Sequence, residues 1–299
     1  MSQAAASVRT DGMAWIPGGT FAMGSEAFYP EEAPVHDVAV EGFWIDERPV
    51  TVAQFRRFAK ATGYVTLAER ALDPADYPGA DPADLVPGSL VFRAAPGPVD
   101  LDDYRNWWAY VPGACWSAPE GPGSDTYTRG RHPVTHVGFE DACAYASWAG
   151  KALPTEPEWE YAARGGLGQA TYTWGDEYAD GLANTWQGEF PWQNSMTDGY
   201  AGTSPVAAFP PNGYGLYDMA GNVWEWTASH FTADHVTKPC CGPRDDRPDT
   251  HIPRRVTKGG SHLCAPNYCL RYRPAARQGQ SIDSSTSHIG FRCVVRPDA

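Results

Sequence analysis

Glycine and proline, 31 and 27 of 299 residues, interrupt this chain so often that no regular element can run far. Their share is well above the roughly 12% of an average protein and, taken alone, leans towards disorder. Yet 12 Trp, 15 Tyr and 11 Phe are spread along the same stretches. Rings of that size bury large areas and anchor irregular backbone. The expectation is therefore one folded domain rich in ordered loops, on a chain long enough to bury a substantial core.

Charge narrows the function classes. Lys and Arg number 23 against 36 Asp and Glu, a formal charge of −13 with no basic cluster. That lacks the electrostatic footprint of a nucleic-acid binder. No apolar run approaches the ~18–20 residues that span a bilayer. Met1 to Gly12 carries no apolar core of a secretory signal. A soluble protein without membrane or nucleic-acid partners is expected, and a cytoplasmic one.

Residues 1–12 read as a mobile tail, with the domain running from 13 to 299. Met13 to Ser25 holds two apolar runs broken by Pro17-Gly18-Gly19, a hairpin signal, and Val35 to Ile45 reads as a strand. Thr51 and Gln54 form a capping box ahead of Phe55 and Phe58, with Gly63 as the stop. Residues 64–131 carry no sustained period and read as ordered loops. A strand–helix unit is expected over His132 to Gly150, with Asp141 near the helix start, and a helix capped by Thr155 and Glu158 ends at Gly165-Gly166. Strands are expected at Val256 to Ser261 and Ile289 to Arg296. Short helices and scattered strands give an α+β single domain.

The chemistry concentrates in Gly259-Gly260-Ser261-His262-Leu263-Cys264-Ala265-Pro266-Asn267-Tyr268-Cys269-Leu270-Arg271-Tyr272-Arg273. Two thiols separated by four residues, with a proline among them, can converge on one point. Three readings stay open. A structural disulfide needs an oxidising compartment. A zinc half-site needs two further ligands that no second Cys-x-x-Cys or His pair supplies. A redox or soft-metal pair remains, since two thiolates suit Cu(I) and Arg271 and Arg273 favour thiolate.

The segment resembles the active-site stretch of the formylglycine-generating enzymes, or sulfatase-modifying factors. Other stretches match the same family: Ile16-Pro17-Gly18-Gly19-Thr20-Phe21, Pro49-Val50-Thr51, Trp148-Ala149-Gly150-Lys151, Leu153-Pro154-Thr155-Glu156, Glu158-Trp159-Glu160-Tyr161, Trp186-Gln187-Gly188, Gly213-Tyr214-Gly215-Leu216-Tyr217, Gly221-Asn222-Val223-Trp224-Glu225-Trp226 and Gly290-Phe291-Arg292-Cys293. Most mark a wider superfamily with a variant C-type-lectin-like fold. The Cys264/Cys269 pair singles out the oxidising members.

The resemblance implies a copper-dependent oxidase that uses O2 to convert the cysteine of a Cys-x-Pro-x-Arg segment in unfolded sulfatases to Cα-formylglycine. By position, Cys264 and Cys269 would bind Cu(I), a soft d10 ion that prefers thiolates. Ser261 and Tyr268 would sit beside the reacting sulfur, Trp224 would wall the pocket, and Trp107 and Trp108 would line the peptide groove. Two structural Ca²⁺ sites are implied as well. Asn184 and Asp198, with the carbonyls of Thr185 and Tyr200, match the first; Asp218 and Glu225, with the carbonyls of Gly221 and Val223, match the second. Such hard oxygens at turns suit Ca²⁺.

The remaining cysteines depart from secreted relatives. Cys293 lacks a partner at Ala146, although Cys143 lies one helical turn earlier, and Cys115, Cys240 and Cys241 read as structural or incidental. His132 and His136 read as strand residues rather than a ligand pair, and His262 as a pocket neighbour. A monomer is expected. Two other classes compete: a non-catalytic binding module of the same fold, which the Cys pair disfavours, and an iron-dependent sulfoxide synthase of the ergothioneine type, which needs a further helical domain.

Overall fold

The structure, a computed structural model, describes residues 10–235 and 252–297. Residues 1–9 of the expected tail and the Cys240-Cys241 pair lie outside the described residues. Residues 10–12 join the body: the Met13 amide donates to the Thr10 carbonyl and the Glu47 amide to the Gly12 carbonyl, both at 3.0 Å.

Helix ends follow local chemistry. Thr51 caps α1 (Val52–Thr62), its hydroxyl accepting from the Gln54 amide while the Gln54 side chain accepts from the Thr51 amide. In α2 (Phe139–Trp148) the Asp141 carboxylate reaches back to the Gly138 amide at 2.7 Å. Thr155 and Glu158 do for α3 (Glu156–Arg164) what Thr51 and Gln54 do for α1. Gly63 and Gly165 end α1 and α3 at φ 68° and 57°, where a Cβ is strained.

Among the described residues, eleven short strands follow in chain order: β1 (Met13–Ile16), β2 (Gly19–Met23), β3 (His36–Val40), β4 (Phe43–Asp46), β5 (Gly88–Phe92), β6 (Trp108–Pro112), β7 (Trp224–His230), β8 (Arg254–Lys258), β9 (Arg277–Ser281), β10 (Ile289–Gly290) and β11 (Val294–Val295). They form a three-stranded sheet β1-β4-β11, a four-stranded sheet β10-β7-β8-β9, and two ribbons, β2-β3 and β5-β6. The domain is α+β, with much of the chain in loops.

Several local expectations change, among them the strand over Ile289 to Arg296, which divides into β10 and β11 in different sheets. Met13 to Ser25 is not a hairpin: β1 pairs with β4 and β2 with β3, because Pro17-Gly18 carries the chain from one sheet to the next. A Cβ on Gly18 would lie 2.9 Å from the Val40 carbonyl oxygen, so only glycine passes there. Val35 to Ile45 is likewise split between two sheets. Residues 132–138 make a single bridge, Thr51 to Pro133, rather than a strand. Within 64–131 the β5-β6 ribbon is an addition.

Aromatic contacts take over where ladders stop. Phe55 meets Phe58, Trp116, Tyr145 and Phe291, with centroids 5.3–6.4 Å apart. Each such pair adds about 0.5–1.5 kcal/mol beyond area burial. A second cluster packs Ile16, Phe43, Ile45 and Trp159 beneath the three-stranded sheet. Trp107, Trp186, Phe190, Leu263 and Ala265 form a third, next to the cysteine segment.

Buried ion pairs tie α3 to β8 and β9 and brace the neighbouring segments. Glu156 holds Arg277 at 2.7 Å, Glu160 holds Lys258 at 2.9 Å and Arg164 at 2.7 Å, and Glu225 grips both arms of Arg292 at 2.7 Å. Glu32 and Arg273 add another such pair. Among the described residues no helix is long and apolar enough to cross a membrane.

Candidate active site

The cysteine segment leaves β8 through Gly259 and Gly260, both in the left-handed region at φ 92° and 68°. A Cβ on Gly260 would sit 2.9 Å from the Arg271 carbonyl, so this close return of the chain requires glycine. The loop then closes on itself. The Cys264 amide donates to the Ser261 carbonyl (2.9 Å) and the Cys269 amide to the Ala265 carbonyl (2.7 Å), which folds Cys269 back onto Cys264. The Trp186 amide fixes the turn from outside through the Cys264 carbonyl at 3.0 Å.

The two sulfurs end 3.0 Å apart, both buried and not bonded to each other. Burial pushes the Cys264 thiol well above its usual range. Cys269 moves the other way, because the Cys264 thiol donates to it and the Arg271 guanidinium lies beside it. The two shifts run in opposite directions and make Cys269 the more acidic thiol of the pair. A buried pair of soft donors with room in front of it fits Cu(I).

Both sulfurs line a cavity of about 490 Å³. Ser261, Tyr268, Trp224, Trp107 and Trp108 line it too, so the structure brings together all seven residues expected there. Tyr268 stacks on Phe190 at 4.4 Å and 8°, and Trp107 meets the Tyr268 ring edge-on at 5.2 Å. Trp107 is only 1% exposed and is mainly a support, whereas Tyr268 is 39% exposed and faces the opening. The Ser261 amide points at the Cys264 sulfur (3.4 Å), while its hydroxyl accepts from the Leu263 amide (3.2 Å).

His288 was not expected here. It packs on Trp108 at 4.8 Å, its Nδ1 is 2.8 Å from the Thr286 hydroxyl, and burial lowers its pKa to about 3. It enters the cavity neutral. Nothing in its sequence context, between Ser287 and Ile289, signals this. His262 behaves as a neighbour: its Nδ1 donates to the Asn222 carbonyl at 2.8 Å, and the ring lines a separate cavity.

The two expected calcium sites separate cleanly. Asn184 Oδ1 and Asp198 Oδ2 are buried without a hydrogen-bond partner. The other halves of these side chains are used, Asn184 Nδ2 on the Gly202 carbonyl (2.9 Å) and Asp198 Oδ1 on the Tyr200 amide (3.0 Å). Two unsatisfied oxygens at a turn fit a hard cation. The second set does not fit. Both Glu225 oxygens are held by Arg292, with Trp159 Nε1 added at 2.7 Å, and Asp218 accepts from the Ala207 amide and Asn222 Nδ2. The guanidinium supplies the positive charge that a Ca²⁺ between Asp218, Gly221, Val223 and Glu225 was expected to bring. Among the described residues no three His, Cys, Asp or Glu side chains converge on a metal position. Cys115, Cys143 and Cys293 are free thiols, so Cys143 does not bridge to Cys293.

Known proteins place this arrangement. The chain is 57% identical over 291 residues to the formylglycine-generating enzyme of Mycobacterium tuberculosis, covering 94% of this chain and 97% of that protein. It is 40% identical over 305 residues to the inactive C-alpha-formylglycine-generating enzyme 2 of Bos taurus, covering 96% and 88%. Its fold superimposes on the solved structure of PvdO from Pseudomonas aeruginosa with a TM-score of 0.63, at 26% identity over 94% and 93% of the two chains. A family model, the sulfatase-modifying factor enzyme 1-like domain, matches residues 1–297. With a single domain, the thiol turn and the aromatic cavity in place, the chain belongs to the sulfatase-modifying factor family.

Proposed function

We propose that this chain activates sulfatases by converting the cysteine of a Cys-x-Pro-x-Arg segment in the unfolded polypeptide to Cα-formylglycine, with O2 as oxidant and Cu(I) held by Cys264 and Cys269. The observation that carries the reading is the pair of unbonded sulfurs 3.0 Å apart at the base of an aromatic cavity. The relative from M. tuberculosis, which bears the formylglycine-generating name, supports it.

The reaction balances as R–CH2–SH plus O2 plus two hydrogen equivalents from an external thiol, giving R–CHO, H2S and H2O. Removal of one hydrogen from the substrate Cβ and one from its thiol gives a thioaldehyde, which water hydrolyses to the aldehyde and H2S. Bound copper supplies the one-electron chemistry that couples O2 to the cysteine. The chain's own residues supply the setting. The Cys264 thiol and the Arg271 guanidinium lower the Cys269 pKa, burial raises that of Cys264, and the Ser261 amide aims at the Cys264 sulfur. Trp107, Trp108, Phe190 and Tyr268 exclude water, and an aromatic wall suits the substrate proline. Trp224 and the neutral His288, which packs on Trp108, complete the lining. Asn184 and Asp198, with the Thr185 and Tyr200 carbonyls, would hold one structural Ca²⁺. The free described cysteines are consistent with a reducing, cytoplasmic setting, and the chain is read as a monomer.

Mass spectrometry of a Cys-Thr-Pro-Ser-Arg peptide tests the activity, with the purified protein, Cu(I), air and a thiol reductant. The expected result is a copper- and oxygen-dependent mass loss with an aldehyde that hydrazide reagents trap. An unchanged peptide with copper bound points to another protein substrate. Failure to bind copper as well overturns the reading in favour of a non-catalytic module.

A further inference from the structure

Strand β9 is the outer strand of the four-stranded sheet; among the described residues no strand pairs with its far side. The register fixes which backbone groups face out. Just beyond the Arg254–Ser281 pair, the Ile282 amide donates to the Pro253 carbonyl at 3.0 Å. Residues 253 and 282 are thus a hydrogen-bonded pair, and such pairs alternate along an antiparallel ladder. Gln278 and Gln280 therefore turn their N–H and C=O towards β8, while Arg277, Gly279 and Ser281 turn theirs outward. The Ser281 carbonyl is used by the Ser284 amide at 3.0 Å, and at the Arg277 end the guanidinium is tied to the Glu31 carbonyl at 3.1 Å. Among the described residues, what remains is the N–H and C=O of Arg277 and of Gly279 and the N–H of Ser281.

This open edge reaches the cavity that holds the thiols: Gly279 and both its neighbours line it together with Cys264 and Cys269. Gly279 is glycine because the Phe231 ring lies against the strand, where a Cβ would be 2.5 Å from it. Free sheet edges are a liability that proteins usually blunt with lysine, proline or a bulge. Arg-Gln-Gly-Gln-Ser places no lysine or proline on β9, and its pairing with β8 runs without a shift.

We propose that the substrate polypeptide docks by adding as an extended strand to the β9 edge, pairing its backbone with Gly279 and Ser281 and so delivering its cysteine to the thiol pair. The proposal rests on the reading of this cavity as the place of peptide oxidation. It commits to an unfolded segment as the occupant, since only an extended chain with free backbone groups can pair with a strand edge. Backbone pairing gives affinity without reading side chains, and the aromatic wall reads the few that matter.

The test is binding of an unreactive peptide, Ser-Thr-Pro-Ser-Arg, flanked by enough residues to run from the thiols past Ser281. Each version carries one N-methylated backbone amide, and binding to the wild-type protein is measured by calorimetry. Along one flank, methylation at alternate residues is expected to weaken binding about tenfold, with the residues between unaffected. A flat profile, or one without a period of two, overturns the docking mode. Ser281→Pro removes one outward N–H that would donate to a peptide carbonyl and is expected to weaken binding of the unmethylated peptide about tenfold; unchanged affinity also overturns it. Turnover of the cysteine peptide is read separately. A period of two without turnover keeps the docking and overturns the oxidase reading, and turnover with a flat profile does the reverse. A dimer of this chain that competes with the peptide would assign the edge to a second copy and overturn the proposal.

Discussion

The sheet around α3 and the cavity around the cysteine turn treat buried polar atoms in opposite ways. Beneath α3 each carboxylate has a cation: Glu156 with Arg277, Glu160 with Lys258, Glu225 with Arg292. Around the cavity and the neighbouring Asn184 turn, buried polar atoms stay without partners, among them Asn184 Oδ1, Asp198 Oδ2 and the indole nitrogens of Trp107 and Trp186. A buried pair contributes little net stability, but removing one partner is costly. An unpartnered atom is a standing cost unless something outside the chain satisfies it. The first region is self-sufficient scaffold, and the second is built to be completed.

Substitutions can break that contrast. The largest effect is expected at Cys269→Ser, which should abolish turnover and copper binding together while the urea midpoint stays near wild type; surviving turnover would sink the ligand assignment. Next comes Glu225→Gln, which leaves Arg292 buried against a neutral amide and should cost about 3–5 kcal/mol in urea unfolding. Replacing both partners, Glu225→Leu with Arg292→Met, should recover most of that loss. Adding Ca²⁺ should raise stability by about 2.7 kcal/mol at a hundredfold excess over its dissociation constant. Asp198→Ala should erase the response, whereas Asp218→Ala should not.

A subtler effect is carried by pH. Burial pushes the Glu156 carboxyl up, but His235, Arg277 and Lys258 outweigh it and hold the carboxyl below the usual range. A carboxyl lowered by folding adds stability that is present above its unfolded pKa near ~4.3 and is lost as pH falls towards the folded value. The gap in melting temperature between wild type and Glu156→Gln should therefore be widest near neutrality and shrink below about pH 4. The smallest effect is expected at Tyr127, 83% exposed, where alanine should change stability by less than about 0.5 kcal/mol. A larger loss there would blur the line between scaffold and surface.

What the sequence makes legible is what lies close along it. Capping pairs three residues apart and glycine stops place all three helices, since the atoms that satisfy a helix end come from the same turn. Both site cysteines fall in one short loop for the same reason. The cavity wall is different. Trp107, Trp224, Tyr268 and His288 come from separate segments, and only family resemblance brought the first three together. The Pro17-Gly18-Gly19 turn misleads because a hairpin and a change of sheet need the same residues. The second calcium site fails on Arg292, 67 residues from Glu225, a distance over which no local pattern speaks. The β5-β6 ribbon is hidden because Gly88 to Phe92 shows no polar–apolar alternation, with one half of the pair buried under loops.

The cysteine turn stands apart from the contacts that hold the domain. Its closure relies on backbone groups of Ser261 and Ala265 and on one amide from Trp186, none of which needs sulfur. Erasing the chemistry thus takes one nucleotide change and leaves a foldable, heritable protein. On the proposed reading, gene duplicates on this scaffold are free to drift into silent partners without a collapse to select against them. With the role proposed for Cys264 and Cys269, telling working from silent copies comes down to those two positions rather than to overall similarity.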